Sequence, residues 1–125
     1  MNLTTYFTVL PKHCNHHLPM IFGGEFMAQM DIAAAMLVSK VLLDSECDSA
    51  VTHKFEGEFL KAAQMGDIIR LECTLIELRK KAIVVQVEAM RHKRLEKEED
   101  LVAKAKFVFV SKKNGEYAHH GLEMK

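Results

Sequence analysis

The sequence predicts one α+β domain, in which a long apolar helix lies against an antiparallel sheet. Three observations predict this class: a helical repeat of apolar residues over 24–43, alternating apolar and polar residues in several other segments, and short gaps between those segments. The chain has 125 residues, 49% of them hydrophobic, and is long enough for a single core. We therefore expect one domain over 1–125, with a loosely ordered tail from about residue 114.

A short strand and the helix are the first predicted elements. Residues 3–9 are rich in β-branched and aromatic types and stop at Pro11, which predicts a strand followed by a loop. Further along, apolar residues recur at three- and four-residue spacing at Phe26, Met30, Ala33, Leu37 and Val41. Further apolar residues cover most of the remaining circumference, so other elements must enclose this helix. Because polar residues interrupt it and no basic segment with a cleavage site precedes it, we expect neither a membrane span nor a signal peptide.

Four later segments predict the enclosing strands, at about 51–59, 69–75, 83–90 and 103–109. Simple alternation in the first of them places Val51, Phe55 and Phe59 on one side and Thr52 on the other. The segment 91–100 is densely charged, which predicts an exposed connection. About five strands around one helix leave open sheet edges, and we therefore expect a homodimer at least.

Charge and cysteine content narrow the function classes. The 17 basic and 17 acidic residues cancel, so we expect no nucleic-acid partner and no anionic membrane surface. Cys14, Cys47 and Cys73 form no CxxC pair, which favours free thiols in a reducing compartment such as the cytoplasm. The histidine- and cysteine-containing run 13–17 lacks a familiar ligand spacing, and we predict no metal site.

Three motifs, in order along the chain, resemble the hotdog-fold acyl-CoA thioesterases. They are Phe22-Gly23-Gly24 with Asp31 seven residues beyond the second glycine, Phe59-Leu60-Lys61 followed by Met65-Gly66-Asp67, and the closing segment 102–110. The resemblance implies the hotdog fold: a long central helix wrapped by a five- to six-stranded antiparallel sheet, assembled as dimers. Further assembly of the dimers into tetramers or hexamers stays open. It also implies hydrolysis of acyl-CoA to a carboxylic acid and coenzyme A, with no cofactor besides the coenzyme A of the substrate.

Thioester hydrolysis needs a group that activates water and a donor for the developing oxyanion. A glycine at a helix N-terminus lets a carbonyl approach the backbone, so Gly24 is expected to donate its N–H to the thioester oxygen, with Gly23 and Phe22 beside it. Asp31 lies on an apolar stripe of the helix, where a carboxylate is costly unless it is paired or partly solvated. The resemblance makes Asp31 the general base or nucleophile; a structural acid at a subunit interface is the other interpretation.

The resemblance also implies an asparagine that faces the aspartate of the opposite protomer. The family usually has this asparagine six residues before the phenylalanine; here His16 lies six and Asn15 seven residues before Phe22, so both stay candidates. The phosphates of coenzyme A require local basic residues. The candidates are Lys61, Arg79, Lys80 and Lys81, with Arg91, Lys93 and Arg94 as further ones.

Two other functions stay open from the sequence. One is a hotdog hydratase or dehydratase, a group that typically shows a histidine-led motif such as HFP or an Asp-x-x-x-x-His pair; the chain has no HFP. The other is a module that binds acyl-CoA without cleaving it, which the altered asparagine position allows.

Overall fold

A computed structural model describes residues 1–15, 17–93 and 95–124. Within these ranges the chain forms a strand, a long helix and then further strands, as the sequence predicts. The bounds are β1 Asn2–Thr8, α1 Gly23–Val41, β2 Ser49–Phe59, β3 Ile68–Leu78, β4 Ala82–His92, β5 Glu99–Lys113 and β6 Glu116–Tyr117, with short 3₁₀ turns at Pro11–His13 and Leu42–Asp44. The predicted α+β class with one long helix and an antiparallel sheet is confirmed.

The sheet has the strand order β1-β3-β4-β5-β2, and β6 pairs with the end of β5. All neighbouring strands are antiparallel, and β3, β4 and β5, which follow one another along the chain, form a meander. Since β2 pairs with β5 and β1 pairs with β3, these two early strands lie at opposite edges of the sheet. The helix α1 packs against all five of the longer strands.

The apolar stripe of α1 faces the sheet. The five residues that predict the helix are all buried, at no more than 5% exposure: Phe26, Met30, Ala33, Leu37 and Val41. Together with the following 3₁₀ turn, the helix is long and apolar enough to cross a membrane by length and composition alone. Its buried residues pack against the sheet in the hydrophobic core, which accounts for the apolar sequence of the helix.

The edge strand β2 contains a β-bulge at His53, between Thr52 and Lys54. A bulge adds one residue to a strand, so simple alternation no longer relates the faces of the side chains before it to those after it. As a result Thr52, rather than Val51, shares the helix-facing side with Phe55. The simple alternation expected from the sequence is therefore wrong on the N-terminal side of the bulge.

The C-terminal segment differs from the predicted loose tail. After β6, the backbone N–H of Ala118 donates to the carbonyl of Ser111, and the backbone N–H of His120 donates to the carbonyl of Lys80. His120 is 4% exposed, and its carbonyl accepts a hydrogen bond of 2.7 Å from the hydroxyl of Ser45. These bonds fasten the segment to β5, to the β3–β4 hairpin and to the turn after α1.

The connection predicted over 91–100 is shorter in the structure. β4 continues to His92 and β5 begins at Glu99, so the ends of the charged segment belong to the sheet. Arg91 is buried because alternation along β4 directs it to the same side as Ala89, and Asp100 lies directly across from it on β5. Pairing with this carboxylate offsets part of the cost of burying the Arg91 charge.

Candidate functional site

The start of α1 supplies backbone donors to the candidate site. Phe22 occupies the N-cap position with an extended backbone, and its side chain has no polar atom that could cap the helix. The N–H groups of the first helical turn have no intrahelical acceptor, and the helix dipole makes this end positive. Gly24 is exposed, and the absence of a side chain leaves its amide accessible.

Asp31 lies on the same face of the helix as Gly24. Seven residues correspond to nearly two full turns and to a rise of about 10.5 Å. Because helical side chains tilt toward the N-terminus, the carboxylate of Asp31 is directed back toward Gly24. Asp31 is half-buried, and its Oδ1 accepts a hydrogen bond of 2.8 Å from the hydroxyl of Thr52. The acid is thus both paired and partly solvated, as an acid on an apolar stripe requires.

An open depression of about 270 Å³ joins these groups between α1 and β2. Its lining combines the helix start, the acid, the hydroxyl and apolar side chains: Gly24, Met27, Ala28, Asp31, Thr52, Phe55 and Phe107. The first helical turn, the acid and the hydroxyl therefore share one cavity with an apolar wall. Such a cavity can hold a carbonyl compound, polarise its oxygen and present a base to a water molecule.

Thr52 is the site residue that the sequence analysis missed. Alternation along β2 assigned it to the solvent side, and only the bulge at His53 turns it to the helix. Bulges are frequent beside active sites, but their positions depend on the partner strand. The sequence gives only a weak signal for Thr52, because a polar residue next to the apolar Val51 is what simple alternation expects.

Asn15 lies in the loop that precedes α1. Its backbone N–H donates to the carbonyl of Met20 at 3.2 Å, and its Oδ1 accepts a hydrogen bond from the backbone N–H of His17 at 3.3 Å. The lining of the depression around Asp31 of the same chain does not include Asn15. The alternative candidate, His16, lies outside the described residues, so the choice between the two stays open.

His13, in the same loop, is used inside the fold. Its Nδ1 accepts the backbone N–H of Leu10 at 3.0 Å, its carbonyl accepts the N–H of Phe22, and its ring meets Phe7 edge to face. These contacts fix the turn from β1 toward the helix start.

The basic residues predicted to bind phosphate differ in their contacts. Lys61 Nζ lies 3.0 Å from Asp100, and Arg79 Nη2 lies 2.9 Å from Glu77, in a pair that lowers the pKa of Glu77. Lys80 and Lys81 are exposed at the β3–β4 hairpin. Of the further candidates, Lys93 is exposed, Arg94 lies outside the described residues, and Arg91 is engaged within the fold.

The spacing Asp-x-x-x-x-His, which is typical of hotdog hydratases, occurs at Asp48 and His53. Asp48 accepts the backbone N–H of Asn114 at 3.0 Å, which is the main cause of its lowered pKa, and it lines a depression near the end of α1. His53 lines a different depression, beside Arg79. The two side chains therefore do not converge on one site.

Comparison with known proteins gives a consistent set of matches. Residues 18–98 match the model of the Thioesterase superfamily, a range that includes α1 and Asp31 but begins after Asn15. The chain is 34% identical over 68 residues to an uncharacterised acyl-CoA thioester hydrolase of Buchnera aphidicola; this match spans 54% of the chain and only 48% of that relative.

Two solved structures have closely similar folds. One is an acyl-CoA hydrolase of Staphylococcus aureus in complex with butyryl coenzyme A, coenzyme A and coenzyme A disulfide, with TM-score 0.84 and 25% identity over 95% of this chain and 70% of that one. The other is the hexameric, broad-specificity acyl-coenzyme A thioesterase HI0827 in an aspartate-to-alanine form, with TM-score 0.83 and 25% identity over 95% of this chain and 86% of that one.

Proposed function

This chain belongs to the thioesterase superfamily, and on that premise we propose that it hydrolyses acyl-coenzyme A thioesters to a carboxylic acid and coenzyme A. The observation that carries the proposal is the shared depression in which the start of α1, Asp31 and Thr52 meet. The names of the similar proteins, which describe acyl-CoA hydrolases and thioesterases, support the same reaction.

The proposed reaction begins with the thioester carbonyl at the start of α1. The N–H of Gly24 donates to the carbonyl oxygen, and Asp31 accepts a proton from a water molecule that attacks the carbonyl carbon. The rise of about 10.5 Å separates backbone positions, and the carboxylate of Asp31 tilts back from its own position toward Gly24. A series of amide, carbonyl, water and carboxylate, about 10 Å when extended, fills that shorter gap when it bends. The tetrahedral intermediate then expels the coenzyme A thiolate, which takes up the proton that Asp31 accepted from the water and so regenerates the carboxylate.

Thr52 favours the general-base form of this mechanism over direct attack by the carboxylate. Its hydroxyl occupies Oδ1 of Asp31, which leaves Oδ2 to hold a water molecule. Water activation of this kind requires no metal or other cofactor, and we expect the rate to survive dialysis against a chelator.

A second copy of the chain completes the proposed site. The helix-facing side of the edge strand β2 exposes Phe55 by 51% and Phe59 by 47%, an apolar surface that association would cover. The hexameric state of the similar thioesterase HI0827 supports assembly. We propose a homodimer at least, in which Asn15 or His16 of one protomer faces Asp31 of the other.

We propose that local basic residues hold the phosphates of coenzyme A, either Arg79, Lys80 and Lys81 at the β3–β4 hairpin or Lys61 in the β2–β3 loop at the opposite end of the sheet. Lys80 and Lys81 are the better placed, because Arg79 and Lys61 already contact carboxylates. Those exposed pairs are weak, however, and a phosphate group can compete for either side chain.

The test is thiol release from acyl-CoA substrates of short, medium and long chain length by the wild type and by Asp31→Asn. We expect the variant to lose about 100-fold or more of kcat while it remains a folded oligomer. Asp44→Asn, at an exposed acid beyond the end of α1, is the control and should keep wild-type turnover. Unchanged turnover in Asp31→Asn would remove Asp31 from the mechanism.

The same assay separates the alternatives. Tight binding of acyl-CoA by the wild type without thiol release would indicate a sensing module. Addition of water to an enoyl-CoA would indicate a hydratase.

A further inference from the structure

Arg91 has an unusual environment for a residue of a charged connecting segment. Its side chain is 10% exposed, and all three of its terminal nitrogens have acceptors. Nε and Nη2 bind the two oxygens of Asp100 at 3.1 and 2.7 Å, and Nη1 donates to the backbone carbonyl of Ala62 at 2.7 Å. The guanidinium thus joins two adjacent strand ends to the loop that links β2 and β3.

That loop is bonded in turn to the segment that leads into α1. The carbonyl of Ala63, next to the residue that Arg91 holds, accepts the N–H of Ile21 at 2.9 Å, and the N–H of Met65 donates to the carbonyl of Pro19 at 2.8 Å. Ala63 is completely buried. Ile21 lies two residues before the first residue of the helix. A continuous path therefore runs from Arg91 through the β2–β3 loop to the start of α1.

We infer that Arg91, held by Asp100, is a positioning residue that fixes the first turn of α1 relative to the sheet for the proposed hydrolysis. This inference rests on the proposed function, because the first turn is where the thioester oxygen would bind. Displacement of a reacting group by about 1 Å can reduce a rate about 100-fold. The segment that leads into α1 and is bonded to this loop also carries Asn15, whose N–H donates to the carbonyl of Met20, so the same clamp sets the position of that residue.

A second arginine provides a matched control. Arg70, on β3, binds Glu99 through Nε and Nη2 at 3.2 and 3.1 Å and also pairs with Glu72. Both of its partners are strand residues, so its contacts stay within the sheet. Loss of either arginine removes a two-pronged carboxylate pair, but only the loss of Arg91 releases the loop.

The kinetic test compares Arg91→Lys, Asp100→Asn and Arg70→Lys, with kcat and KM for an acyl-CoA that the wild type hydrolyses. We expect Arg91→Lys to lose about 10- to 100-fold in kcat with KM changed less than about threefold, and Asp100→Asn to lose part of this. Arg70→Lys should keep kcat within about twofold of the wild type, even if its midpoint of urea unfolding falls as far as that of Arg91→Lys. Equal losses of kcat in Arg91→Lys and Arg70→Lys would refute a positioning role.

Backbone hydrogen exchange tests the clamp without reference to activity. In Arg91→Lys, the amides of Ile21 and Met65 should exchange faster, while those in the centre of β4 and β5 stay protected. Asp100→Asn preserves the side-chain shape and serves if Arg91→Lys fails to fold. Unchanged exchange at Ile21 and Met65 would overturn the inference. If these amides exchange faster in Arg91→Lys but the wild-type protein releases no thiol from any acyl-CoA, the proposed function is overturned and the clamp is retained.

Discussion

The hydrogen bond between Thr52 and Asp31 allows a quantitative test of how the candidate site is held. Thr52→Val keeps the β-branched shape and removes only the hydroxyl, so the strand should fold as before. The bond has a length of 2.8 Å and ends on a carboxylate, a class of bond that contributes about 1.5 to 3 kcal/mol. Thr52 is exposed and Asp31 half-buried in the single chain, so we adopt about 1 to 1.5 kcal/mol, at and below the low end of that range.

Lost from the transition state, this free energy corresponds to about a 5- to 12-fold reduction in kcat, since 1.4 kcal/mol is about tenfold in rate. The assay is steady-state thiol release, measured with the wild type, Thr52→Val and Thr52→Ser. The serine variant retains the hydroxyl and should recover most of the rate. Thr74→Val, at an exposed position on β3, controls for the general effect of such a substitution. Equal rates for Thr52→Val and the wild type, or equally low rates for the valine and serine variants, would refute this assignment of Thr52.

Two further predictions concern stability. His120→Ala removes the Nε2–H that donates to the carbonyl of Arg79 and the Nδ1 that accepts the N–H of Leu122. It should lower the free energy of unfolding, measured by urea denaturation, by about 2 to 4 kcal/mol. The control His119→Ala, at an exposed position, should stay within about 0.5 kcal/mol of the wild type. The second concerns Asp100, whose pKa is held at about 2, below the ordinary 3.8, mainly by its hydrogen bond with Arg91. Because the folded pKa is depressed, the stabilisation is complete above about pH 4 and is lost as the pH falls toward 2. Discounted for the exposed third of the Asp100 side chain, it amounts to about 1 to 2 kcal/mol. Urea denaturation curves at neutral pH and at about pH 2.5 should show that Asp100→Asn lacks this part of the acid sensitivity.

The helix and its acid could be predicted because their signals are local. The spacing of apolar residues from Phe26 to Val41 identifies the buried stripe without knowledge of the sheet, and all of these residues are buried. The glycine start and Asp31 follow from positions along the same helix, since seven residues return the chain to the same face. A resemblance in three motifs then supplied a reaction for this pair of features.

The strand faces and the C-terminal segment depended on partners that lie far away in the sequence. The bulge at His53 arises in the pairing with β5, more than 50 residues downstream, and an alternating pattern gives no sign of it. The final segment is short and partly polar, which is typical of a tail. Its order comes from the burial of His120 and from acceptors on the β3–β4 hairpin and donors near Ser45.

Arg91 shows how a charged residue can be misjudged for the same reason. In the sequence it opens a run of basic and acidic residues, and such a run is usually solvated. The register of β4 and β5 instead places Asp100 opposite it, and the β2–β3 loop places a carbonyl at its third nitrogen. These partners together offset the cost of burying the charge, and a lone charge there would not be tolerated. The residues proposed for chemistry thus lie where local patterns could identify them, whereas the residues that hold them in place are defined by strand pairing. The comparison of Arg91→Lys with Arg70→Lys measures how much of kcat depends on such a holding contact.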